Sequence, residues 1–129
     1  MNKYLVVQRI MAAVAILFGI VTLIAGSRVL TGSDPGYRVF QPLLIYNTLM
    51  GVAYIAGGIL ILRNLPWGGK VAAAIFTLNL LVLGGIIFLY TSTDWVAVDS
   101  LRAMSLRTGV WLALWLGAVW LGRKKAAVG

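Results

Sequence analysis

From residue 39 to residue 62 the chain reads VFQPLLIYNTLMGVAYIAGGILIL, an apolar run long enough to cross a bilayer. About 20 helical residues cross the hydrocarbon core of a bilayer, and backbone groups in lipid must satisfy one another, so a run of this kind is predicted to be a transmembrane helix. Asn47, Gly51, Tyr54 and Gly58 fall within it at spacings of 4, 3 and 4, which places them on one helical face. The helix thus has a lipid side of Leu, Ile, Val and Met and a protein side of amide, phenol and bare backbone.

The other apolar runs carry similar stripes. The first run, residues 10–26, is preceded by Lys3 and Arg9, and its helix bears the face Gln8, Ala12, Ala15, Gly19, Thr22 and Gly26. Small residues at that spacing let helix backbones approach closely, which is how helices associate where lipid is as apolar as leucine. A basic start before an apolar run also fits a signal peptide, with Ala25-Gly26-Ser27 as a passable cleavage site. The expectation is a retained transmembrane helix. Residues 71–90 bear Ala72, Phe76, Asn79, Leu83, Ile86 and Tyr90, and a fourth run covers about 101–121.

Between the runs lie turn signals. Residues 31–36 read TGSDPG, and Gln41 and Pro42 open the second helix, where a first-turn proline sacrifices no internal hydrogen bond. Pro66-Trp67-Gly68-Gly69 predicts a tight connection ending at Lys70, forcing helices two and three antiparallel. Thr93 or Asp94, and then Asp99 or Ser100, are candidate N-caps before the last helix. The expected fold is all-α and integral to the membrane. It is a single domain over 1–129, with helices near 4–27, 39–62, 70–90 and 100–121 forming a four-transmembrane-helix antiparallel bundle of two hairpins.

Charge orients the bundle. Lys3, Arg9, Arg63, Lys70, Arg123, Lys124 and Lys125 belong to one end, seven of the 11 basic residues. Arg28, Arg38, Arg102 and Arg107 belong to the other, with all three acidic residues, Asp34, Asp94 and Asp99. Cytoplasmic flanks carry the excess of Lys and Arg, so both termini are predicted to be cytoplasmic, in a bacterial inner membrane. Trp67, Trp95 and Trp120, with Tyr4, Tyr37 and Tyr90, fall near the expected boundaries and read as interfacial anchors. Trp111 and Trp115 lie deeper and are expected to be lipid- or partner-facing bulk. The net charge of +8 does not imply nucleic acid, because the basic residues flank apolar runs and form no basic face.

The chemistry is narrow. No cysteine and no histidine are present, which excludes disulfides, thiolate metal sites and imidazole-ligated haem or zinc. No glutamate is present either, and no cofactor is expected. General acid–base work needs a positioned His, Glu, Asp or Lys, and the three aspartates lie in loops. No phosphate loop or nucleophile elbow occurs, so the chain is not expected to be an enzyme.

What polarity remains gathers in the outward half. Asn47 is about 12 Å below the expected outer start of helix two, and Arg107 about 9 Å into helix four. An arginine inside a span is costly, so it faces the bundle, a wet cavity or the interface. With Tyr46, Gln41, Tyr54 and Asn79, these residues form a candidate ligand-binding set for an anionic or carbonyl-bearing group. The competing reading makes Arg107 a snorkelling side chain and Asn47 and Asn79 interhelical pins worth about 1 kcal/mol each.

Four helices in so short a chain is similar to the small multidrug-resistance exporters and to the dual-topology fluoride channels. The former rely on a first-helix glutamate, which this chain lacks. Asn47 and Gly51 resemble the second-helix asparagine region of the latter, but the glycine-rich first-helix signature and the Ser/Thr-rich third-helix break are missing. No residue role carries over from either. The leading expectation is an accessory or scaffold subunit of a larger membrane complex. The alternatives are a small homo-oligomeric transporter or channel, or a membrane-embedded lipid or quinone binder using the pocket around Asn47 and Arg107. The expected partners are membrane lipids, with a larger membrane protein or further copies of the chain.

Overall fold

The computed structural model describes residues 3–36 and 39–128, so Tyr37 and Arg38 lie outside the described residues. Four helices make up the fold: α1 Lys3–Leu30, α2 Gln41–Arg63, α3 Leu65–Ser92 and α4 Val98–Val128. All four are long and apolar enough to cross a membrane, which suggests an integral membrane protein. At 1.5 Å per residue the shortest, α2 with 23 residues, is about 35 Å long.

The helices run up, down, up and down. α1 packs along α2 and α3 along α4; α2 also meets α3, and α1 meets α4. One end of the bundle gathers the start of α1, the α2–α3 corner and the end of α4. The opposite end holds the two longer connections. Gly32 and Gly36 both take positive φ in the first of them, and the Asp34 carboxylate accepts from the Gly36 N–H at 2.8 Å.

The α2–α3 connection is tighter than expected. α3 begins at Leu65, so Pro66 to Gly69 belong to its first turns and Asn64 alone joins the two helices. Asn64 ends α2 by donating its N–H to the Leu60 carbonyl at 2.7 Å. Its side chain accepts from Trp67 N at 3.4 Å to begin α3. Pro66 suits a first turn because its missing N–H would lack an internal partner. Gly68 permits the corner: a Cβ there would stand 2.6 Å from the Ile61 Cα. At the other corner, α4 begins at Val98, so Asp99 and Ser100 lie within its first turn. Thr93 instead closes α3, donating to the Leu89 carbonyl and accepting from Trp95 N.

Buried side chains form three layers along the axis. Ala12, Ile61, Leu65, Ala118 and Leu121 fill the termini end; Ala15, Met50, Tyr54, Ala72, Ile75, Trp111 and Leu114 fill the middle; Leu43, Ile86, Val96 and Met104 fill the loop end. The buried face of α1 is Gln8, Ala12, Ala15, Gly19, Thr22 and Gly26, the same six residues that its small-residue periodicity marks. Along α3 the stripe is buried at Ala72, Asn79 and Ile86, while Tyr90 at its far end is exposed.

Trp111 departs from expectation. It is wholly buried, 5.1 Å from the Tyr54 ring, rather than facing lipid. Gly57 makes the slot: a Cβ there would stand 3.1 Å from the Trp111 ring. Trp115 is half-buried and stacks on Phe76 at 5.8 Å, so it too is held within the α3–α4 pair.

Candidate functional site

At the loop end the last turns of α1 and the first turns of α2 and α4 border a common space. There a cavity of about 90 Å³ opens, lined by Thr22 and Gly26 of α1, Asn47 of α2 and Ser100, Ala103 and Arg107 of α4, among others. Val29, Val39 and Phe40 add apolar wall. The volume has room for more than one water, and is enough for a small polar group.

Asn47 and Arg107, far apart in sequence, share this cavity. Asn47 is six residues into α2 and Arg107 nine into α4, or about 9 and 13 Å along their helices. The arginine is the deeper of the two, because α4 starts earlier and α2 later than the sequence indicates. Asn47 is 9 % exposed, and its buried Oδ1 accepts no hydrogen bond from any described group. A buried amide oxygen left in this state costs free energy that a donor brought by a ligand or a water would recover.

The remaining expected site residues separate into a structural chain and an exposed position. The Tyr46 hydroxyl donates to Asn79 Oδ1 at 2.8 Å, and Asn79 Nδ2 donates to the Tyr54 hydroxyl at 3.0 Å. Asn79 is fully buried, so this α2–α3 chain holds its amide satisfied at mid-bundle. Tyr46 follows a different face from Asn47, about 100° around the helix, and turns toward α3. Tyr54 lies two turns below Asn47, flanked by Phe18 at 5.7 Å and Trp111. Gln41 is exposed at the first position of α2 and is not among the residues lining the cavity.

Sequence reasoning missed Ser100 as a wall of the cavity, treating it as a cap. The spacing of 7 from Ser100 to Arg107, on one helical face, was the available signal. It also assigned Gln8 to packing alone. At the termini end Gln8 Nε2 donates to the Ile61 carbonyl at 2.6 Å and the Leu62 carbonyl at 3.1 Å, and Gln8 Oε1 accepts from Lys125 Nζ at 2.7 Å. One buried amide thereby satisfies last-turn carbonyls of α2 and ties α1 to α4.

Among the described residues, no group of three or more His, Cys, Asp or Glu side chains comes together to hold a metal. The cavity's polar inventory is one amide, one guanidinium and two hydroxyls, those of Thr22 and Ser100. Thr22 donates to the Phe18 carbonyl one turn back, so its hydroxyl turns only an acceptor face to the cavity. Such a set can bind and orient a polar group; it holds no side chain that takes up a proton near neutral pH. No family model, curated protein or solved structure matches the chain.

Proposed function

We propose that this chain is a non-catalytic accessory protein of a bacterial inner membrane, with both termini cytoplasmic, whose outward cavity holds the polar group of a membrane-soluble ligand. The observation that carries the reading is the convergence of Asn47 and Arg107 on one small cavity beneath the long loops. The charge bias of seven basic residues against four supports the orientation.

The ligand class follows from what each side chain can offer. Arg107 donates to an anionic or carbonyl oxygen, while Asn47 Oδ1 requires a donor. A group that does both, such as a hydroxyl-bearing lipid headgroup or a quinol, fits better than an oxidised quinone, which brings acceptors only. Beneath the cavity Met50, Tyr54 and Trp111 fill the bundle centre, which favours holding a ligand over passing one through a single chain. A transporter or channel would take its path between copies.

The accessory part has an observation of its own. Gly84 and Gly85 on α3 have open space where a Cβ would stand, so bare backbone faces outward at membrane depth. Such a notch admits the close approach of another helix.

Native mass spectrometry of the protein extracted from its own membrane in mild detergent tests both parts. The expected result is a heteromeric assembly carrying a retained small mass, with that mass lost in Asn47→Leu and Arg107→Leu. A wild-type protein without a retained mass overturns the cavity reading, and a protein that always isolates partner-free overturns the accessory reading.

A further inference from the structure

At the termini end a second groove, of about 480 Å³, runs between the start of α3 and the end of α4. Lys70 and Arg123 stand on it, both exposed, and Ala73, Ala118 and Val119 line it lower down as far as Trp115. From Arg123 to Trp115 is about 12 Å along the helix. Gly122 keeps it open, since a Cβ there would meet nothing within 4 Å. The groove is thus cationic at its rim and apolar along its length.

Two observations set the level and the field of the rim. Lys70 Nζ lies 4.7 Å from the centroid of the Trp67 ring, and Trp67 is half-exposed, as an interfacial tryptophan is. Seven basic side chains gather at this end, and the three aspartates all belong to the opposite one. From this geometry we infer that the groove is a site for one anionic phospholipid, its phosphate between Lys70 and Arg123 and an acyl chain lying along Ala73, Val119 and Trp115.

The pairing of charge and apolar length is what selects this occupant. A free phosphate or an acidic peptide answers the cations and leaves the apolar length unfilled. A zwitterionic lipid fills the length and gives less to the cations. Basic pockets between helices at a membrane surface recognise anionic headgroups, with each cation contributing about five-fold in affinity. The inference is independent of the ligand at Asn47 and Arg107, which lies at the other end of the bundle.

The test is native mass spectrometry and thermal unfolding of the full chain in nanodiscs or detergent supplied with phosphatidylglycerol or phosphatidylcholine. Wild-type protein should retain one phosphatidylglycerol and unfold at higher temperature with it than with phosphatidylcholine. Lys70→Gln with Arg123→Gln should weaken that retention by about 25-fold, five-fold for each charge. Lys3→Gln with Lys124→Gln removes the same charge from exposed positions off the groove and should change retention by less than about five-fold. Val119→Trp, which fills the groove and leaves every charge, should also lose the lipid. Equal losses in the two charge variants would overturn the site in favour of a diffuse surface field. Retention of phosphatidylcholine as strong as of phosphatidylglycerol, or of soluble glycerophosphate as strong as of the lipid, would overturn it as well.

Discussion

Gly19 of α1 and Gly51 of α2 face each other so closely that a Cβ on Gly19 would stand 2.7 Å from the Gly51 carbonyl oxygen, and one on Gly51 3.1 Å from that of Gly19. The approach continues along the seam, where a Cβ on Gly58 would meet the Ala12 carbonyl oxygen at 3.0 Å. Helix pairs in lipid gain little from excluding water, so this backbone contact supplies the packing that holds α1 on α2. Gly19→Leu or Gly51→Leu should separate the helices and cost at least 1–3 kcal/mol, about the range for overpacking a core. Thermal unfolding in detergent checks this, and an unchanged midpoint in both variants contradicts the seam.

The two buried asparagines should respond oppositely to the same change. Asn79→Leu strands the hydroxyls of Tyr46 and Tyr54 and should destabilise by about 1–3 kcal/mol. Asn47→Leu removes an Oδ1 that no described group satisfies and should leave the ligand-free protein equally stable or more so. Unfolding midpoints of the two variants, measured without added lipid, decide the matter. Equal destabilisation would make Asn47 a structural pin.

Gln8 closes the termini end and should be sensitive to isosteric change. Gln8→Glu keeps the oxygen that Lys125 reaches and loses the Nε2 that serves the Ile61 and Leu62 carbonyls. Gln8→Leu loses both sets. Both variants should be less stable than wild type, the leucine variant by about 1–3 kcal/mol, and the glutamate variant because its second carboxylate oxygen faces those two carbonyls with no proton to donate. Hydrogen exchange of the last turn of α2 should rise in both, and no rise would show that the clasp does not hold that turn.

Trp111 tests the middle layer. Its indole N–H has no hydrogen-bond partner among the described residues, so Trp111→Phe gives up volume and contacts but no hydrogen bond. Trp111→Ala should cost about 3–5 kcal/mol and Trp111→Phe distinctly less. Gly57→Ala in the wild-type background should also destabilise, by crowding the ring, and be relieved in part by Trp111→Phe. Additive effects in that double variant would mean that the two residues do not share a slot.

Much of the architecture follows from sequence alone, because the period of small and polar residues in an apolar run reports which face of a helix meets protein. Gln8 to Gly26 on α1 and Asn47 to Gly58 on α2 are buried as their spacing requires. Four apolar runs of membrane length, their basic flanks and the glycine-bearing turn after α1 are equally local properties, set by the bilayer and by the backbone. What only the tertiary structure decided is which faces meet which. Asn47 and Arg107 share a cavity because the loop-end turns of α1, α2 and α4 border one space, whereas neighbouring Tyr46 is drawn to Asn79 on α3. Trp111 is buried because Gly57, two helices earlier in the chain, leaves room for its ring. Tryptophan is at home at a membrane boundary and in a packed core alike, and an amide serves as pin or as ligand contact with the same atoms. The residue type does not distinguish these roles; the shape of the partner helix does.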